Sequence, residues 1–234
     1  VGVYYGRVTL NAHKTRSGIV VQLTFSDLKG ATIKVPNIFR VMSEREYRKF
    51  VNKVLRALRG GFEVSDGRIE EGKAAMSTTQ IWQVIVWSLL YPGELYVLAD
   101  AINVNEGSVT IRWHMRSKYR PIKDKILGEE KEVLLFLFTT ILGDGDAIIA
   151  NDKRGYETPR IEIAVGETKG WEPLLSRLHV NARVNERKGI IGFYGSNAIS
   201  LSKMMISAIP SILKDIMDAL AFEKWERIKR IAEM

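Results

Sequence analysis

Residues 129–142, EEKEVLLFLFTTIL, are charged for one turn and then apolar on all sides. A surface helix keeps its apolar residues on one stripe, so a helix that is apolar all round must be buried all round. The segment therefore predicts a central helix with other elements packed about it. It ends on Gly143-Asp144-Gly145-Asp146. Asp and Gly serve tight turns, so this tip can simply lead the chain into a strand. A carboxylate between two glycines at a rigid helix end can equally hold a hard cation.

After that tip, two strand-like runs, 147–152 and 160–165, flank the turn-rich KRGYETP. A helix around 171–178 follows, then strands at 182–185 and 190–194 about an Arg-Lys-Gly turn, then a helix opening at Ser196-Asn197. The order is helix, strand, strand, helix, strand, strand, helix. The first half repeats it with one element missing. Laid without a gap on residues 196–220, residues 78–102 put Ile81 on Ile199, Pro92 on Pro210, and Asp100 and Ala101 on Asp218 and Ala219. In each copy the proline marks where one helix stops and the next begins. LRALRGGFEV at Leu55 falls over LSRLHVNARV at Leu175, and the first half opens directly on strand-like VYYGRVTLN. The 129–142 helix therefore has no counterpart. The boundaries expected are a first half at 1–103, a basic linker at 104–128 around IRWHMRSKYRPIKDK, and a second half with a C-terminal helix at 129–234.

Composition excludes several classes. At 234 residues, 46% hydrophobic and 26% charged, the chain is globular rather than disordered or fibrous. It has no cysteine, which rules out disulfides and thiolate metal sites. Its apolar runs are too short to span a bilayer, so a cytoplasmic protein is expected, with no membrane partner. A net charge of +8 favours a polyanionic partner.

LFTTILGDG, residues 137–145, resembles the LAGLIDADG motif in its variant ending Gly-Asp-Gly, and the element order after it resembles that family's domain. The resemblance implies an α+β fold of two pseudo-symmetric αββαββα halves, each with a saddle-shaped antiparallel sheet, the first lacking its motif helix. It also implies a homing-type endonuclease that makes a site-specific double-strand break in DNA by metal-dependent hydrolysis. The alternative is a non-cleaving nucleic-acid-binding protein of the same fold, an RNA-splicing maturase or regulator. Phe138 and Thr139 stand where the family favours small residues, so Phe138 must point away or widen the helix pair.

Phosphodiester hydrolysis calls for Mg²⁺ or Mn²⁺ on carboxylate oxygen. Asp144 is the expected catalytic acid and metal ligand, with Gly143 beside it and Asp146 as the fallback. A second acid is not identified, and would come from a second chain or a separate peptide carrying the first motif helix. Contacts to double-stranded DNA, or to RNA in the alternative, would come from alternating outward strand residues. In the first half these are Arg7, Thr9, Asn11, Gln22 and Thr24, with Val8, Leu10, Val21, Leu23 and Phe25 inward. In the second they are Arg160, Glu162, Arg183 and Asn185, with Ala182 and Val184 inward, while Lys153, Arg154, Arg187 and Lys188 in turns would meet phosphates. The three histidines are scattered without metal spacing, and the tryptophans sit in core-like context.

Overall fold

A computed structural model describes residues 7–16, 18–26, 30–120, 128–151 and 155–234. It begins with strands β1 (Arg7–Thr15), β2 (Gly18–Ser26) and β3 (Ala31–Val35), then helices α1 (Glu44–Phe50) and α2 (Arg56–Val64) joined by a π-helical turn, Val51–Leu55. Next come β4 (Gly67–Glu70), β5 (Lys73–Thr78), α3 (Ile81–Leu90), β6 (Gly93–Asn105) and β7 (Ser108–Ser117). The remainder is α4 (Glu130–Asp144), β8 (Gly145–Asn151), β9 (Glu157–Ala164), α5 (Glu172–Leu175), β10 (Arg183–Asn185), β11 (Ile190–Tyr194), α6 (Ser196–Ala208), α7 (Ser211–Leu220) and α8 (Glu223–Glu233). The class is α+β with antiparallel sheets, as expected. The contacts divide the chain into one unit of Val1–Asn37 with Gly67–Pro121 and another of Ile38–Asp66 with Ile122–Met234.

In the second unit α4 is the axis. Its residues 133–142 are all buried, as an all-round apolar helix requires. Glu129 and Glu132 close a capping box at its start. α2 lies along it, so the expectation that this helix lacks a helical partner within the chain is corrected. The two backbones come close because Gly61 of α2 has no side chain. A Cβ there would stand 2.0 Å from Thr139 Oγ1 and 2.2 Å from the Phe136 carbonyl oxygen. The small residues that a close helix pair needs are thus on α2, and Phe138 points away, its ring 5.9 Å from that of Trp225 on α8. α8 docks by Trp225, Ile228 and Ile231, all buried. The four-stranded sheet runs β10-β11-β9-β8, with Ile161, Ile163, Ile191 and Phe193 buried.

The first unit is one sheet ordered β1-β2-β6-β7-β5-β4, with β3 pairing the first part of β6. Its core gathers at one end around Met76, Trp87, Leu90, Leu95 and Met115. At the other end four strands carry clean cross-strand rows. Leu10, Leu23, Ile102 and Ile111 form one row, and Ala12, Val21, Val104 and Val109 another on the same face. Between them on the opposite face runs Asn11, Gln22, Asn103 and Thr110. Val8 and Leu10 are exposed, so their expected inward placement is corrected, and Val184 in the other unit is exposed as well.

Two further expectations are corrected. The match between residues 78–102 and 196–220 fails after its prolines, because α3 leads into strand β6 whereas α6 leads into helix α7. Residues 108–117, assigned to a linker, are β7, paired on both sides. In β6 and β7 the alternation of Ile102, Val104, Val109 and Ile111 with Asn103, Thr110 and Arg112 has the strand period of two.

The Gly61 contact fixes the helix pair, and filling it forces backbone apart. Gly61→Ala is expected to lower unfolding free energy by about 3 kcal/mol, read as a shift of the urea midpoint. Gly60→Ala, whose added carbon meets only the Phe136 ring edge at 3.3 Å, serves as the milder comparison.

Candidate nucleic-acid interface

The helix pair sets two acids at one end of the second unit. α4 ends in Asp144 and continues directly into β8. α2 ends at Val64 and passes through the turn Ser65-Asp66 into β4. A Cβ on Gly143 would lie 2.2 Å from Ser65 Oγ and 3.0 Å from Asp66 Oδ2, so Gly143 is the residue that lets the two helix ends meet. Burial pushes the Asp144 carboxyl above the usual carboxylate range and the charge of Asp66 pushes it further, while the Lys224 ammonium draws it down. Asp144 remains exposed at the mouth of a cleft of about 500 Å³ walled by Phe136, Trp171 and Leu174.

Lys224, on α8, gives this corner its character. Its Nζ donates to the carbonyl oxygens of Ile141 at 3.1 Å, Leu142 at 2.9 Å and Gly143 at 3.0 Å. It thereby caps the C-terminus of α4, where the helix dipole favours a cation. Burial holds its own pKa down against the pull of Asp146, Asp66 and Asp144. Asp146, the expected fallback ligand, is ion-paired with Arg227 at 3.6 Å. The residues do not suit Mg²⁺ or Mn²⁺: a resident ammonium already compensates the acids and takes the Gly143 carbonyl. Among the described residues, no three acidic, histidine or cysteine side chains gather closely enough to hold a metal ion.

The outward positions of the four-stranded sheet form a linked network. Arg183, Gly192, Glu162 and Asp146 share one cross-strand row, and Tyr194, Arg160 and Ile148 the next. Tyr194 donates its hydroxyl proton to Glu162 at 3.0 Å, Arg160 pairs with Glu162 at 3.9 Å, and the Arg183 guanidinium lies 5.5 Å from the Tyr194 ring centre. Arg187 and Lys188 are exposed in the β10–β11 turn. Asn185 has a structural task there, its Oδ1 accepting the Lys188 amide proton at 3.1 Å. Lys153 and Arg154 lie outside the described residues.

In the other unit Thr9 and Asn11 are exposed, Gln22 and Thr24 half-buried, and Arg7 opens β1. The sheet adds residues that sequence reasoning missed, namely Asn103 and Thr110 in the amide-hydroxyl row and Arg112 opposite Ala101, its Nε donating to Asp100 at 2.9 Å. Their signal was the alternation on either side of the turn at Glu106-Gly107. Asp66 and Lys224 were also missed. Asp66-Gly67 repeats Asp144-Gly145 at a helix end, but its helix contains Arg59 and two glycines and does not read as apolar all round.

No protein-family model matches the chain, and no curated protein matches it. Among solved structures it is similar to full-length DUF199/WhiA from Thermatoga maritima, at 15% identity and a TM-score of 0.45, over 83% of this chain and 72% of that one. It is also similar to the N-terminal LAGLIDADG domain of DUF199/WhiA, at 16% identity and 0.42, over 84% and 99%. The likeness is one of fold. Neither description names an endonuclease, and the expectation of a homing endonuclease, an enzyme cutting DNA with metal, is corrected accordingly. The ammonium at the helix ends is the physical counterpart of that correction. No helix among the described residues is long and apolar enough to cross a membrane.

A carboxyl whose pKa is raised on folding adds stability below its ordinary titration range, and that stability is lost as pH rises through the folded value. Asp144→Asn is therefore expected to raise the Tm by about 1–3 °C at neutral pH. The gain should shrink toward nothing as the melting buffer is taken down to about pH 4. Lys224→Met should lower the Tm by roughly 5–10 °C at pH 7, since three carbonyls lose their donor and the acids their counter-charge.

Proposed function

We propose that the chain is a nucleic-acid-binding protein of LAGLIDADG-like fold that holds double-stranded DNA without cutting it. The observation that carries this is the row of Asn11, Gln22, Asn103 and Thr110 straight across four strands. Amide and hydroxyl side chains can donate to and accept from base edges, and strands about 4.8 Å apart carry four of them across about 14 Å. That matches a major groove about 12 Å wide. Arg187 and Lys188, on the β10–β11 turn, supply phosphate contacts that position without specifying, and the net charge of +8 brings the polyanion in. We further read α2-β4-β5-α3-β6-β7 and α4-β8-β9-α5-β10-β11 as two copies of one plan, each opening on a helix whose passage into the first strand carries Asp-Gly. A cytoplasmic location belongs to the same proposal.

The test is selection of bound duplexes from a random DNA pool, followed by anisotropy titrations over a range of salt. The expected result is an enriched site. Gln22→Ala and Asn103→Ala should each lose about 1–3 kcal/mol of discrimination at particular base pairs. Arg187→Ala should weaken all duplexes alike and flatten the log-log salt dependence by about 0.9. Binding that never distinguishes a selected duplex from random DNA would sink the base-reading role.

A further inference from the structure

The face opposite the amide row is apolar, and it is in solvent. Val8 is 46% exposed, Leu10 64%, Ile19 60%, Val104 39% and Val109 65%. Strand alternation puts all five on one side of the sheet, the side that carries Met115 further along β7. The core face of this unit therefore runs on past its covered end. Solvent-exposed sheets ordinarily turn a polar face outward, and a monomer rarely keeps an aliphatic patch above about 300–600 Å² in water.

We propose that this face is the contact between two copies of the chain, stacked sheet on sheet about a two-fold axis. Two features select a second copy as the occupant. The first is area: the five exposed residues present several hundred square ångströms, on the order of half of the roughly 800 Å² per side of a standard interface. Half-buried Val21, Leu23 and Ile111 lie between them and add to it. The second is chemistry. The Leu10 and Ala12 rows hold only Ala, Val, Leu and Ile, and the row beyond them, where Lys14 stands opposite Ile19, sets a cation at the margin of the patch rather than within it. A two-fold contact needs only a patch complementary to itself, and aliphatic sheets packed about 10 Å apart meet that condition. Stacking in this way leaves both amide rows facing outward, so the contact stands whether or not the row reads DNA.

The experiment is light scattering on the eluting protein at micromolar concentration. The expected mass is that of two chains rather than one of 26.5 kDa. Leu10→Glu and Val109→Glu place charges where the single chain has solvent, so each should fold, checked by circular dichroism and melting. Each should raise the dissociation constant about tenfold or more. Ile69→Glu, an exposed apolar residue on the same side of the sheet but on β4 at its opposite edge, should keep the two-chain mass. A one-chain mass for the unaltered protein overturns the proposal. So does a two-chain mass that survives both charged variants, or one lost equally in Ile69→Glu.

Discussion

The approach of α2 to α4 at Gly61 is the contact on which the second unit depends. With one hydrogen in place of a side chain, the α2 backbone comes within reach of Thr140, whose hydroxyl lies 3.5 Å from the Gly61 carbonyl. Everything at the acidic corner follows from that approach. It brings Ser65 and Asp66 against Gly143, sets Asp66 beside Asp144, and creates a concentration of negative charge that needs a cation. The chain supplies its own from α8. That positive charge is a covalent part of the protein, bonded to three carbonyls.

The two faces of the first unit's sheet differ in chemistry. A strand places successive side chains on opposite faces, so one register decides both what reads a ligand and what packs. In the first unit that register separates Asn11, Gln22, Asn103 and Thr110 from Leu10, Leu23, Ile102 and Ile111 without a single exchange. The separation holds even where neither face is covered by the protein itself. In the second unit the outward face is instead knotted together, with Glu162 held by Tyr194 and Arg160, while Arg187 and Lys188 stand exposed on the β10–β11 turn.

Legibility in the sequence followed the strength of local signals. The central helix, the β10–β11 turn and the start of α6 were all readable, because an all-round apolar run, an Arg-Lys-Gly turn and a Gly-Ser-Asn break are each local, although the N-cap of α6 is Gly195 and neither Ser196 nor Asn197 caps it. The strand β6 was not. GELYVLADAINVN carries Leu95, Leu98 and Ile102 at spacings that suit a helix as well as a strand, and only pairing with β7 on one side and with β2 and β3 on the other settles the matter. Comparison with residues 196–220 reinforced the error, since a proline can precede either element. α2 was not legible as the partner of the central helix, because its glycines lower helix propensity, yet they are what the packing requires. Lys224 could not have been found locally, because its partners lie 81 to 83 residues earlier in the chain.

That separation also orders events during synthesis. A helix whose last carbonyls are satisfied by a side chain made far downstream stays unfinished until the ribosome has delivered it. Until then α4 ends in open acceptors beside crowded carboxylates, which α8 later closes. α8 is thus a latch on the second unit, and the lysine near its start is the tongue of that latch.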